Sequence, residues 1–329
     1  LLVVAGLVGG CSSDDDDTNA ETPDSGVVAH ADSGTGTAAD ASPPADAGTL
    51  PNIPATAVAA GSFKTLVAAL QATGLDKTLA GTGPFTVFAP PDTAFAKLPS
   101  FLTTELTSAP YKTELTLILG YHVLAGETKA VDLLGKTSTP TTVEGAKLSI
   151  DGSNDKVVIN GTVNVTTPDV LASNGVIHIL DGVLLPTIVD TAVGYDDGTN
   201  KFSTLVSAVT TAGLAGTLSG AGTFTVFAPT DAAFAALPPA TLSAVLADKA
   251  RLTRLLTYHV LPATVFSPSI SNGQVATVEG TDELTLTVSG GKVTVGDSTS
   301  TAANVILADL PTSNGVVHAI DKVLLPPNL

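Results

Sequence analysis

Phe85–Pro99 reads FTVFAPPDTAFAKLP, and Phe224–Pro238 reads FTVFAPTDAAFAALP, identical at 12 of 15 positions. Working outward, Ser173–Pro186 (SNGVIHILDGVLLP) returns as Ser313–Pro326 (SNGVVHAIDKVLLP) with 10 of 14 positions shared, and Tyr121–Leu124 (YHVL) returns as Tyr258–Leu261. The three offsets are 139, 140 and 137 residues. Solenoid and propeller units repeat every ~20–50 residues, so a period this long marks a duplicated domain.

Within each copy the pattern is helical first and β-rich later. Phe63, Leu66, Val67 and Leu70 stand at i, i+3, i+4 and i+7, and Phe202, Leu205, Val206 and Val209 repeat the spacing. That spacing predicts one buried helix face, with Gly74 and Gly213 as stops. Phe85–Ala89 and Phe224–Ala228 are short, apolar and β-prone, which predicts buried strands. Asp92 and Asp231 follow the strand, before Ala-Phe-Ala, and are expected to N-cap the helix they begin. Further helix is expected near Tyr111–Gly120 and Thr241–Thr257. Strands are then expected at Tyr121–Leu124, Thr141–Glu144, Lys147–Asp151, Lys156–Asn160, Val163–Thr166 and Val176–Leu185. Segregated helices and strands indicate an α+β fold. Asn174-Gly175 and Asn314-Gly315 are turn dipeptides before the last strand.

In order and spacing, the three blocks resemble the fasciclin domain, an extracellular adhesion module. The resemblance covers residues 50–329 twice over. It implies two tandem domains, 50–186 and 187–329, each a β-strand wedge with helices packed at one side. It implies noncovalent recognition and no shared chemistry. Cell-binding determinants in the family lie around the Tyr-His pair and an Asp-Ile-like dipeptide before the second block. Matching positions here are Tyr121, His122, Asp169 and Val170, then Tyr258, His259, Asp309 and Leu310. Pro311, after Leu310, is expected to alter strand-edge contacts in the second copy.

The chain opens on ten uncharged residues, LLVVAGLVGG, followed by Cys11. This stretch is shorter than the ~20 apolar residues a bilayer span needs. It reads as the end of a secretory signal, and Val8–Cys11 resembles a bacterial lipobox, making Cys11 the expected lipidation site over residues 1–11. Because the sequence contains no Met, the start and basic flank of such a signal are expected upstream. Ser12 in the position after Cys11 favours the outer membrane by analogy with lipoprotein sorting. Residues 12–49 are acidic and rich in Ala, Gly, Ser, Thr and Pro. They lack the bulky apolar surface that offsets ordering entropy, and are expected to form a disordered stalk.

The formal net charge is −17. Neither repeat carries a basic patch, which points away from nucleic acid and anionic headgroups. Cys11 is the single cysteine, so both folds depend on aliphatic cores. Five histidines occur: His30 in the tail, and His122, His178, His259 and His318 in the repeats. No HExxH spacing, Gly-x-Ser-x-Gly elbow or P-loop accompanies them. The repeat histidines are expected to be hydrogen-bonded structural residues, with no metal and no cofactor.

The expected function is therefore adhesion: a lipid-anchored surface or periplasmic protein binding a matrix, polysaccharide or envelope partner. A carrier of a small apolar ligand is the alternative. An envelope-polymer hydrolase using Asp92 or His178 is a more distant one.

Overall fold

The computed structural model describes residues 50–329 apart from 107, 109, 110 and 300; Cys11, His30 and the acidic segment 12–49 lie outside the described residues. The first half runs α1 (Ile53–Ala60), α2 (Lys64–Thr73), α3 (Leu75–Leu79), β1 (Phe85–Ala89), α4 (Asp92–Phe95), α5 (Ser100–Leu106), α6 (Lys112–Tyr121), β2 (Val123–Ala125), α7 (Ala130–Leu133), β3 (Thr137–Ser138), β4 (Ile150–Asp151), β5 (Val158–Ile159), β6 (Val163–Ala172) and β7 (Gly175–Leu180). The second half runs α8 (Ile188–Gly194), α9 (Ser203–Ala212), α10 (Ala215–Ser219), β8 (Phe224–Pro229), α11 (Asp231–Ala235), α12 (Pro239–Ala247), α13 (Lys249–Tyr258), β9 (Val260–Leu261), β10 (Gly273–Ala276), β11 (Glu283–Ser289), β12 (Lys292–Gly296), β13 (Ala303–Thr312) and β14 (Gly315–Ile320).

Each half builds one seven-stranded sheet, in the order β2-β1-β7-β6-β5-β4-β3 and its counterpart β9-β8-β14-β13-β12-β11-β10. The fold is α+β, but not purely antiparallel. β1 lies parallel to β7, and β8 parallel to β14. The helix-then-strand reading hides this pair because its two strands come from opposite ends of the domain.

The central strand explains why FTVFA is apolar without alternation: both of its faces are covered. Val87 and Ala89 join Leu66, Leu70, Leu115 and Ile118 in a helical core. Phe88 points the other way, into a second core with Tyr121, Leu148, Ile150 and Ile159. The second half repeats the split, with Val226 and Ala228 on the helical side and Phe227 on the other. α2 buries Leu66 and Leu70 and ends at Gly74, whose φ of 82° is the left-handed cap an L side chain rarely adopts.

Several boundaries differ from expectation. Tyr121 ends α6 instead of starting a strand, because the helix continues until His122 caps it. Thr141 and Thr142 make isolated bridges only. The expected 241–257 helix is two helices, parted at Asp248, whose carboxylate accepts from the Ala250 and Arg251 amides. β6 continues to Ala172 through two register shifts against β7.

The halves pack on each other. Leu117 of α6 shares a core with Ile188, Tyr195 and Phe202 of the second half. Phe101 and Phe266 meet edge to face, their centroids 5.3 Å apart.

Candidate functional site

His122 and His259 sit at the ends of α6 and α13 and are almost wholly buried. His122 Nδ1 lies 2.7 Å from the Ile118 carbonyl, and Nε2 accepts from the Leu184 amide at 2.9 Å. His259 repeats this with the Leu255 carbonyl (2.8 Å) and the Leu324 amide (2.9 Å). With Nε2 accepting, Nδ1 carries the proton and donates to the last helical turn. Burial pushes both imidazoles down to about 4. Each histidine thus ties a helix end to the segment after the last strand.

The neighbouring tyrosines are equally enclosed. Tyr121 donates to the Lys147 carbonyl (3.1 Å) and accepts from Asn160 Nδ2 (2.8 Å). Tyr258 donates to the Glu283 carbonyl at 3.1 Å. Burial raises both phenols to about 12.

Asp169 and Asp309 occupy the bulges in β6 and β13, with φ of 57° and 62°. Their amides donate to Nδ1 of His178 (3.3 Å) and His318 (3.1 Å) on the facing strand. The Asp169 carboxylate accepts from the Ala130 amide at 2.9 Å, at the start of α7; Asp309 accepts from Ser267 in the equivalent place. The far ring nitrogens of His178 and His318 reach the Thr128 and Val265 carbonyls at 2.8 and 2.9 Å. Burial lowers both imidazoles. Each bulge is pinned from both sides, and each imidazole spends both nitrogens on backbone.

These positions correct the expected partner-binding set. Tyr121, His122, Tyr258, His259, Asp309 and Leu310 are each at most 2% exposed. A partner approaching the surface does not reach them. Asp169 and Val170 are half-buried, and Val170 faces Ile177 across the ladder. Pro311 is accommodated opposite Val316 on the buried part of β13.

Asp92 and Asp231 cap helices, but not their own. Asp92 is the first residue of α4, where Pro91 is the cap without a side-chain bond. Its carboxylate accepts from the Thr65 amide (2.8 Å) and the Lys64 amide (3.3 Å) at the start of α2. The Thr65 bond is the main reason its acidity is raised. Asp231 binds the Thr204 amide at 2.7 Å, opening α9. Sequence reasoning looked for a local cap, and the partner lies across the fold.

Asn174 and Asn314 do more than turn the chain. Asn174 Oδ1 accepts from the Ile53 amide at the start of α1, and Nδ2 donates to the Leu79 and Gly81 carbonyls at the end of α3. Asn314 repeats all three bonds with Ile188, Leu218 and Gly220. Gly175 and Gly315 beside them admit no side chain, since a Cβ would lie 2.0 Å from the Phe85 or Phe224 carbonyl oxygen.

One Ser-Asp-His grouping deserves a chemical test. Ser267 Oγ donates to Asp309 Oδ2, and Asp309 Oδ1 is 3.9 Å from His318 Nδ1. The hydroxyl therefore faces the carboxylate, and the imidazole has no free nitrogen to act as its base. No group of three or more His, Cys, Asp or Glu side chains among the described residues could hold a metal ion. An apolar cavity lined by Ile188, Leu205, Val209 and Val226 measures about 30 Å³. That is room for a water molecule or two, not for a lipid chain. Among the described residues no helix is long and apolar enough to cross a membrane.

The site sequence reasoning missed is at the contact between the halves: Glu114, Leu117 and Glu144 from the first, Asp190, Gly194 and Tyr195 from the second. Its signal lay in a mismatch between the copies. Glu114 and Leu117 align with Arg251 and Arg254.

The Fasciclin domain family matches the chain twice, over residues 61–186 and 200–326. Protein sll1483 of Synechocystis is 47% identical over 143 residues, covering 43% of this chain and 74% of that protein. Transforming growth factor-beta-induced protein ig-h3 of Sus scrofa is 30% identical over 278 residues, covering 84% of this chain and 40% of that protein. Cell surface glycolipoprotein MPB83 of Mycobacterium bovis is 41% identical over 114 residues, 35% of this chain and 48% of that protein. With a doubled motif set, a doubled sheet and two family matches, the chain belongs to the Fasciclin domain family and carries two such domains in tandem.

Proposed function

We propose that this chain is a lipid-anchored adhesion protein at the bacterial outer membrane or cell surface, which binds a matrix, polysaccharide or envelope partner noncovalently. The observation that carries the reading is the pair of Fasciclin domains, whose motif histidines and asparagines are spent on the fold. What each domain offers a partner is its outer surface. Two joined recognition surfaces raise effective concentration, so a repeating polymer is held more tightly than by either alone. The anchoring rests on Cys11 and on the resemblance to a protein whose name is cell surface glycolipoprotein. Residues 12–49 join Cys11 to the first domain.

The test is affinity capture by the full chain against cell-envelope extract and isolated polysaccharide, with fractionation of a Cys11→Ser variant. Saturable capture and release of the variant into the soluble fraction are expected. A chain that captures nothing, or a variant that stays in the membrane fraction, overturns the corresponding half of the reading.

A further inference from the structure

Glu114 lies in the first turn of α6 and is wholly buried, and neither carboxyl oxygen has a hydrogen-bond partner. An ionised carboxylate in such a place has lost its water and gained nothing in return. The neighbouring domain lies against it, for the charge of Glu114 acts on Tyr195. Leu117, one turn along α6, packs into the second half, and a Cβ on Gly194 of α8 would sit 2.9 Å from Leu117 Cδ2 and 2.3 Å from Glu144 Oε1. The duplication supplies an internal control. On α13, where no other domain among the described residues docks, the aligned residue is Arg251, its side chain 54% exposed. The position is buried in the first domain, beside the second, and exposed in the second.

The groups around Glu114 do not neutralise it. The turn between β3 and β4 brings Glu144, whose charge adds to the penalty on Glu114. α8 brings Asp190, which acts on Glu144, and the following residues bring Tyr195 and Asp197. Tyr111 precedes α6. Among the described residues, no lysine or arginine is among the main charges acting on Glu114, Glu144 or Tyr195.

We propose that Glu114 is a proton-operated latch between the two domains: neutral, it lets α6 lie against α8; ionised, it opens that contact. Burial and Glu144 raise its carboxyl from 4.5 to about 8. Docking therefore weakens as pH rises through that window, by about tenfold per pH unit. The device re-aims two surface modules in response to the acidity around them, whichever partner they bind.

Amide exchange of residues 188–195 in the full chain, corrected for intrinsic rates from pH 5 to 9, tests it. Protection of α8 is expected to fall with rising pH while the uncovered α13 does not change. In Glu114→Gln, which keeps the shape and cannot ionise, the α8 trend is expected to vanish. Flat α8 protection in the wild type, α13 moving in parallel, or a Gln variant that keeps the slope each overturns the proposal. If the variant fails to fold, the wild-type comparison of α8 with α13 decides alone.

Discussion

At the scale of single residues, the polar side chains repeated in both motifs are fasteners between distant segments. Asp92 shows the pattern most plainly: it begins one helix and caps another 27 residues earlier in the chain. Replacing a capping carboxylate by Ala costs about 0.5–2 kcal/mol, so Asp92→Ala and Asp231→Ala are each expected to lower stability in denaturant titrations by that amount. The added expectation is local: in Asp92→Ala the Thr65 amide loses exchange protection before the α4 amides do. A local cap would reverse that order. The residue type was legible in the sequence, since Asp before Ala-Phe-Ala announces a helix terminus. Which terminus was not, because the bond closes through three-dimensional space. The histidines divide in the same way. Their structural nature followed from the absence of a ligand set, whereas their partners, backbone groups of remote segments, carry no side-chain signature.

At the scale of elements, the β6 and β13 bulges are the features a linear reading obscured. Val163–Thr166 was expected to stop where β6 in fact continues, because the pattern of alternation breaks at each register shift. Asp169 performs two tasks there, adopting φ of 57° and presenting its carboxylate to α7. Asn keeps both capacities, Gly keeps only the backbone, and Ala keeps neither. Melting temperatures are therefore expected to fall in the order Asp169→Asn, Asp169→Gly, Asp169→Ala, with Ala lowest by about 1–3 kcal/mol. A Gly variant below Ala would show that strain is absent from the bulge. The exposed side chains near this bulge, Val131 on α7, Leu134 just after it and Leu171 on β6, are what solvent reaches beside the motif. Val131→Glu with Leu171→Glu is expected to weaken partner capture without moving the melting temperature, whereas His122→Phe does the opposite. Helices and the central strand were legible because each has a strong period or an unbroken apolar run. The two-residue strand β3 was not, since it is held by the sheet beside it and not by its own preference, and β4 and β5 are shorter than the expected strands at Lys147–Asp151 and Lys156–Asn160 that contain them.

At the scale of the whole molecule, acidity acts on stability from two directions. Burial holds His122 and His259 at about 4 against an ordinary 6.5. The unfolded chain takes up protons that the folded one refuses, so their stabilisation is complete above pH 6.5 and is lost as pH falls towards 4. Each contributes on the order of 3 kcal/mol to that loss. Glu114 runs the other way: its neutral form is favoured in the folded pair, so stability is full below 4.5 and declines as pH rises to about 8. Stability measured against pH is expected to peak around 6.5. Loss of the acid limb in a His122→Asn, His259→Asn double variant would tie that limb to the imidazoles, and an unchanged limb would refute it. The contact itself has a second probe. Leu117→Arg, which copies the residue of the second domain, is expected to split one cooperative unfolding transition into two.

The arginines of α13 also bear on whether the joint between the domains can repeat. Arg254 is clasped by Glu279 and Asp282, with N···O distances of 3.0 and 2.7 Å, where the first domain presents Leu117. A head-to-tail joint, once offered twice, grows into an open fibre. In the second domain guanidinium and carboxylate stand where the first domain gives α8 an apolar partner, so the surface that α8 meets on α6 is not repeated on α13.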